Sequence, residues 1–98
     1  MVHRLVKMSF RPNETTHFLE VFNASKDKIA AFDGCKELRL LNDRLNPRVF
    51  FTYSIWESEE HLNNYRQSDL FKTTWKRTKA LFELPAEAWS TTMLYLEK

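Results

Sequence analysis

The stretch Tyr53 to Phe71, YSIWESEEHLNNYRQSDLF, constrains the fold more than any other. It begins within Phe50 to Trp56, a run of aromatic and β-branched residues that reads as a strand. Ser58 can then cap a helix, and Glu59 and Glu60 put negative charge in the first turn, where the helix dipole favours it. Leu62 and Tyr65 share one helical face. Ser68, with Asp69 behind it, reads as a second cap, so the helix is expected to break and restart before Leu70 and Phe71. A helix with an apolar stripe needs a sheet to cover, and the rest of the chain must supply it.

Val2 to Phe10 predicts a first strand, with Val2, Val6, Met8 and Phe10 on one side and Arg4 as the exception. Arg11-Pro12-Asn13 stops it, and Asn13 is expected to cap a helix over residues 14 to about 32. Phe18, Leu19, Phe22, Ile29 and Phe32 recur there at helical spacing. Gly34, the only glycine, falls where a left-handed residue would end that helix. Cys35 to Leu41 predicts a second strand, and the turn-rich Asn42 to Pro47 joins it to the third, Val49 to Trp56, as an antiparallel neighbour. The second helical region covers about 59 to 82. Phe71, Trp75, Thr78 and Phe82 form its stripe, and Lys72, Lys76, Arg77 and Lys79 its solvated face. Leu84-Pro85 is expected to end it, and Glu87 to Leu96 to form the last strand, with Trp89, Met93 and Tyr95 on one side.

The 98 residues make one domain, 1–98, without linker or low-complexity segment. The order strand, helix, strand, strand, helix, strand is a ferredoxin-like βαββαβ arrangement in the α+β class. It predicts a four-stranded antiparallel sheet with both helical regions on one face. The other face should then be polar in a monomer. The third strand instead offers Phe51, Tyr53 and Ile55 on one side and Phe50 and Trp56 on the other. A second copy packed sheet to sheet, as a homodimer, would cover the spare face. The alternative is that Thr52, Ser54, Thr91 and Thr92 make the outer face wet enough.

A net charge of +2 argues against a nucleic-acid or membrane-surface partner. Arg4 and Lys7 interrupt any leader-like apolar run, and one cysteine, Cys35, suits a reducing compartment, so a cytoplasmic protein is expected. No His, Asp, Glu or Cys group has metal spacing, and one glycine leaves no phosphate loop or nucleophile elbow.

Four motifs recur in a telling order: Phe32-Asp33-Gly34-Cys35, Asn46-Pro47-Arg48-Val49-Phe50, Trp56-Glu57-Ser58, and Leu62-Asn63-Asn64-Tyr65-Arg66-Gln67-Ser68-Asp69-Leu70-Phe71. Over nearly its whole length the chain resembles the antibiotic biosynthesis monooxygenase family of dimeric α+β barrel proteins. The resemblance implies a subunit paired sheet to sheet and a pocket between the sheet and the second helical region. It implies chemistry ranging from cofactor-independent oxygenation of quinols and polyketide phenols to haem degradation, beside members of unknown activity. Many members that resemble quinol monooxygenases carry a histidine where this chain has Tyr65. The haem-degrading branch uses an asparagine, a tryptophan and an iron-ligating histidine where this chain has Val6, Tyr65 and Trp75, so haem degradation is not expected.

The candidate site residues lie on the organising stretch and the helix after it. Trp56, Phe71 and Trp75 would bind a flat substrate, unless they are simply core. Tyr65 would orient the substrate by hydrogen bond, and His61, one turn earlier, would accept its proton. For His61 the plainer reading is a surface histidine. His3 and His17 have no neighbours that suggest chemistry, and Cys35 reads as a small buried hydrophobe. The expected function is a cofactor-free, metal-free monooxygenase acting on a small aromatic, a quinol for instance. The alternative is a non-catalytic dimeric module of the same fold that binds a small ligand or a partner.

Overall fold

The computed structural model describes all residues, Met1–Lys98. Strand β1 is Val2–Phe10, helix α1 Thr15–Ala30, β2 Cys35–Asn42, β3 Val49–Trp56, α2 Glu59–Arg66, α3 Asp69–Lys79 and β4 Phe82–Thr91. The sheet order is β2-β3-β1-β4, antiparallel throughout. Because β3 lies between β1 and β2, the α1 crossover is a split one, and the ferredoxin-like α+β fold follows. No helix is long and apolar enough to cross a membrane.

Both serine caps form as the sequence predicts. Ser58 Oγ accepts the His61 backbone N–H at 3.2 Å, and Ser68 Oγ accepts that of Phe71 at 3.1 Å. Each satisfies an amide that the first helical turn leaves unpaired. The helix therefore breaks between Arg66 and Asp69.

Asn13 does not cap α1. It takes a left-handed backbone with φ 72, and Glu14 precedes the helix instead. Asparagine tolerates that conformation, so the residue serves the turn. The Glu14 carboxylate receives Arg11 and His17 at 3.4 and 3.1 Å. Gly34 has φ 88, in the turn that enters β2 after α1 has ended.

The start of β4 differs from the sequence reading. Helix α3 ends at Lys79, and Leu84-Pro85 lies within β4 rather than ending a helix. Ser9 pairs with Leu84 and Lys7 with Glu87, which leaves Pro85 and Ala86 as a bulge opposite Met8. On an edge strand the missing proline N–H breaks no ladder bond, so proline is tolerated there. Arg11 Nη1 secures the junction by donating to the carbonyls of Ala80 and Phe82 at 2.8 and 3.2 Å. At its other end β4 stops at Thr91 rather than Leu96. Thr91 already pairs with His3, and β1 has almost run out beyond it.

The core sits between the sheet and α1. Met8, Phe10, Phe18 and Phe50 are buried together, and the Phe10 and Phe18 rings stack at 4.3 Å. On β3, Phe50 and Trp56 are buried toward the helices, and alternation turns Phe51, Tyr53 and Ile55 to the open face. Thr52 and Ser54 therefore point inward and do not wet the outer face. That face carries Leu5 beside Tyr53 and Trp89, with Leu41 beside Phe51. Its polar content includes a 2.6 Å hydrogen bond between His3 Nδ1 and the Tyr53 hydroxyl.

Candidate functional site

A train of aromatic rings runs along the helix layer. Trp56 ends β3 and is 1% exposed; its indole N–H donates to Ser54 Oγ at 3.0 Å. Tyr65 comes down from α2 and stacks on it, centroids 4.8 Å apart and planes 22° apart. Phe71, in the first turn of α3, meets the Tyr65 ring edge-on at 5.2 Å. Trp75 follows one turn later, parallel to Phe71 at 5.8 Å, and Phe82 meets Trp75 edge-on at 5.6 Å. The Ser68 cap sets this geometry, because the break it imposes lets residues of two short helices converge on one strand end.

All of these rings but Phe82 form one wall of a cavity of about 270 Å³ between the sheet and the helices. Trp56, Tyr65, Phe71 and Trp75 all line it. Strand β1 contributes Arg4, Val6 and Met8 to the opposite wall. An apolar cavity of about 150 Å³ holds a benzene ring, and drug-sized ligands take from about 300 Å³ upward. The space therefore suits a ligand of one or two rings.

The Tyr65 hydroxyl is held firmly protonated. Burial pushes its pKa well above the ordinary tyrosine value, and the nearby Cys35 thiol pushes the same way. Burial likewise raises Cys35, against a hydrogen bond to the Glu37 carbonyl. At neutral pH Tyr65 is thus a hydrogen-bond donor and not a base.

His61 does not line the cavity. Its Nδ1 lies 2.6 Å from Ser58 Oγ, and its Nε2 faces the carboxylates of Glu57 and Asp33 at 3.7 and 3.8 Å. The side chain packs on Gly34, where an added Cβ would come within 2.4 Å of the histidine Cβ. The sequence-based pairing of His61 with Tyr65 as a proton relay is therefore not assembled inside the cavity. The residue directions on a single helical turn place the histidine against the β2 entry turn instead. His3 and His17 also lie outside it, on the open sheet face and the exposed start of α1.

In the sequence Arg4 is only an exception in an apolar pattern, and nothing there points to Arg66. Both line the cavity. No histidine, aspartate or glutamate does, and no group of three metal-ligating side chains exists in the chain.

The family model described as antibiotic biosynthesis monooxygenase matches residues 1–77. No curated protein matches the chain in sequence. Among solved structures, an antibiotic biosynthesis monooxygenase superposes with a TM-score of 0.91 at 14% identity, covering 97% of this chain and 100% of the other. A conserved protein from Methanosarcina mazei gives 0.87 at 18% identity, covering 93% and 91%. A mutant of SnoaB, a cofactor-independent oxygenase from Streptomyces nogalater, gives 0.87 at 16% identity, covering 98% and 95%. At these identities the likeness is one of fold.

Proposed function

The chain belongs to the antibiotic biosynthesis monooxygenase family, and from that premise we propose that it is a cofactor-independent monooxygenase of small electron-rich aromatics, with quinols as the leading class. The observation that carries this reading is the aromatic-lined cavity of about 270 Å³. A structural neighbour whose name describes a cofactor-independent oxygenase supports the same reading.

The substrate supplies all the electrons. One quinol and one dioxygen give one hydroxyquinone and one water: one oxygen atom stays on the ring carbon, and the other leaves with two substrate hydrogens. The protein excludes water, packs the ring against Phe71 and Trp75, and orients a substrate oxygen with the Tyr65 hydroxyl. A phenol with a pKa near 10 needs about 4 kcal/mol to ionise at neutral pH. The cationic guanidiniums of Arg4 and Arg66 lower that cost without a histidine in the cavity.

The protein works as a homodimer, with the open sheet faces of two copies packed together. The support is the apolar set Leu5, Phe51, Tyr53, Ile55 and Trp89, which no element of the same chain covers.

A second reading has its own support. The absence of a histidine or carboxylate from the cavity lining favours a non-catalytic module that only binds a small ligand. A screen of quinols and phenols by thermal shift, followed by oxygen uptake on each hit, separates the two. Ligand-dependent oxygen uptake with hydroxyquinone as product is expected. Stabilisation without uptake by any hit would establish the binding module instead.

A further inference from the structure

Arg4 is out of place on the helix-facing side of β1. Val6 and Met8 follow it on that side, and all three line the cavity. Ion pairs elsewhere in the chain use Arg11, Arg39, Arg48 and Lys36, while Arg4 and Arg66 take part in none. One N–H of Arg4 donates to Ser90 Oγ at 2.9 Å, a neutral acceptor. Burial, and then the like charge of Arg66, hold the Arg4 pKa below the usual arginine value, which still leaves it charged at neutral pH. Two cations converging on one apolar cavity repel each other, and the arrangement is relieved when an anion sits between them.

We infer that Arg4 and Arg66 form an anion subsite at one end of the cavity, and that the ligand is a small aromatic bearing a carboxylate. The inference rests on the cavity being the ligand site proposed above. A planar guanidinium donates two parallel N–H bonds to a carboxylate, and such charge-assisted bonds are about twice as strong as neutral ones. Arg4 and Met8 are four strand residues apart, a span of about 13 Å along one wall. That wall runs from a cationic end to an apolar one. A carboxylate at Arg4 would leave the ring system beside Val6 and Met8, against the opposing Tyr65, Phe71 and Trp75.

The test compares 3-hydroxy-2-naphthoic acid with its methyl ester, which has the same rings and no carboxylate charge. Affinities are read by quenching of tryptophan fluorescence and by thermal shift at low salt. The acid is expected to bind at least about tenfold more tightly than the ester. Arg4→Gln should bring that ratio close to one. Arg66→Gln, on an exposed helix end, should lower the ratio without affecting the fold, and it decides the matter if Arg4→Gln fails to fold. An ester that binds the parent as well as the acid, or a preference that survives Arg66→Gln in full, would overturn the anion subsite while leaving the cavity as a ligand site. Binding of neither compound would overturn the cavity reading and this inference with it.

Discussion

Gly34 and His61 are in direct contact: a Cβ built on Gly34 would lie 2.4 Å from the His61 Cβ. The turn that enters β2 thus lies against the first turn of α2, and the Glu57 amide donates to the Gly34 carbonyl at 2.8 Å. One turn further along α2, Tyr65 stacks on Trp56. Replacing Gly34 by alanine should destabilise the protein by about 2 kcal/mol or more, from the left-handed backbone and the overlap together. A thermal or urea melt measures this. The overlap is with the histidine Cβ, Cγ and Cδ2, so His61→Ala in the same chain removes two of the three close contacts and should restore stability only in part, the Cβ overlap and the left-handed backbone remaining.

His61→Ala in the parent separates two roles for this residue. As a general base it would matter most near neutral pH and least at alkaline pH, where a phenolic substrate is already ionised. As a support for α2 it should lower the melting temperature and leave the shape of the pH profile of oxygen uptake unchanged. The latter outcome is expected, since the ring faces Glu57 and Asp33 and not the cavity. A loss confined to neutral pH would return the proton to His61.

The open face of the sheet predicts the assembly. Light scattering at micromolar concentration should give a mass near twice 11.8 kDa. Phe51 and Phe50 are adjacent on β3 yet point to opposite faces, so their aspartate variants should fail differently. Phe51→Asp should dissociate the dimer. Phe50→Asp should unfold the chain, because burying an unpaired carboxylate costs several kcal/mol, comparable to total stability. A parent that stays monomeric at all concentrations would remove the sheet-to-sheet dimer.

Haemin should give no stoichiometric histidine-ligated Soret complex and no turnover with a reductant. The cavity presents Val6, Tyr65 and Trp75 but no histidine. Tyr65 is its one oxygen side chain able to ligate iron as an anion, and burial disfavours that anion. A complex that decays to an open tetrapyrrole would refute this.

Local chemistry made much of the fold legible. Ser58 and Ser68 announce their helices because a cap is a bond between a side chain and amides three residues away. The aromatic stripe was readable because its spacing matches the helical period, and even Phe82, which belongs to β4 and not to α3, stays in the same layer. Tertiary context decided the rest. Pro85 looks like a helix stop until the strand is seen to be an edge with a bulge. The faces of β3 are both apolar, so alternation sorts Thr52 and Ser54 into one set without telling which set meets the helices. The cavity's arginines come from β1 and α2, and only the fold brings Arg66 to the exception already visible at Arg4.

Tyr65 permits a test that reads its burial and its function separately. Tyr65→Phe keeps the ring, so the stack on Trp56 and the fold should survive. The native pKa of Tyr65 is raised, so folding keeps its proton on at a pH where the unfolded chain releases it. The stability linked to this group is therefore fully present below the unfolded value near 10 and is lost as pH rises above it, by up to about 1.4 kcal/mol per pH unit. Parent and Tyr65→Phe should show the same pH dependence of stability up to about pH 10. Above that the parent should fall more steeply, with the slope due to Cys35 common to both. At neutral pH, where the two are otherwise equal, loss of the hydroxyl should weaken turnover or affinity for a quinol by about 1 kcal/mol. The steeper alkaline fall without any change in ligand response would leave Tyr65 as part of the packed wall and place the orienting contact on another residue of the cavity.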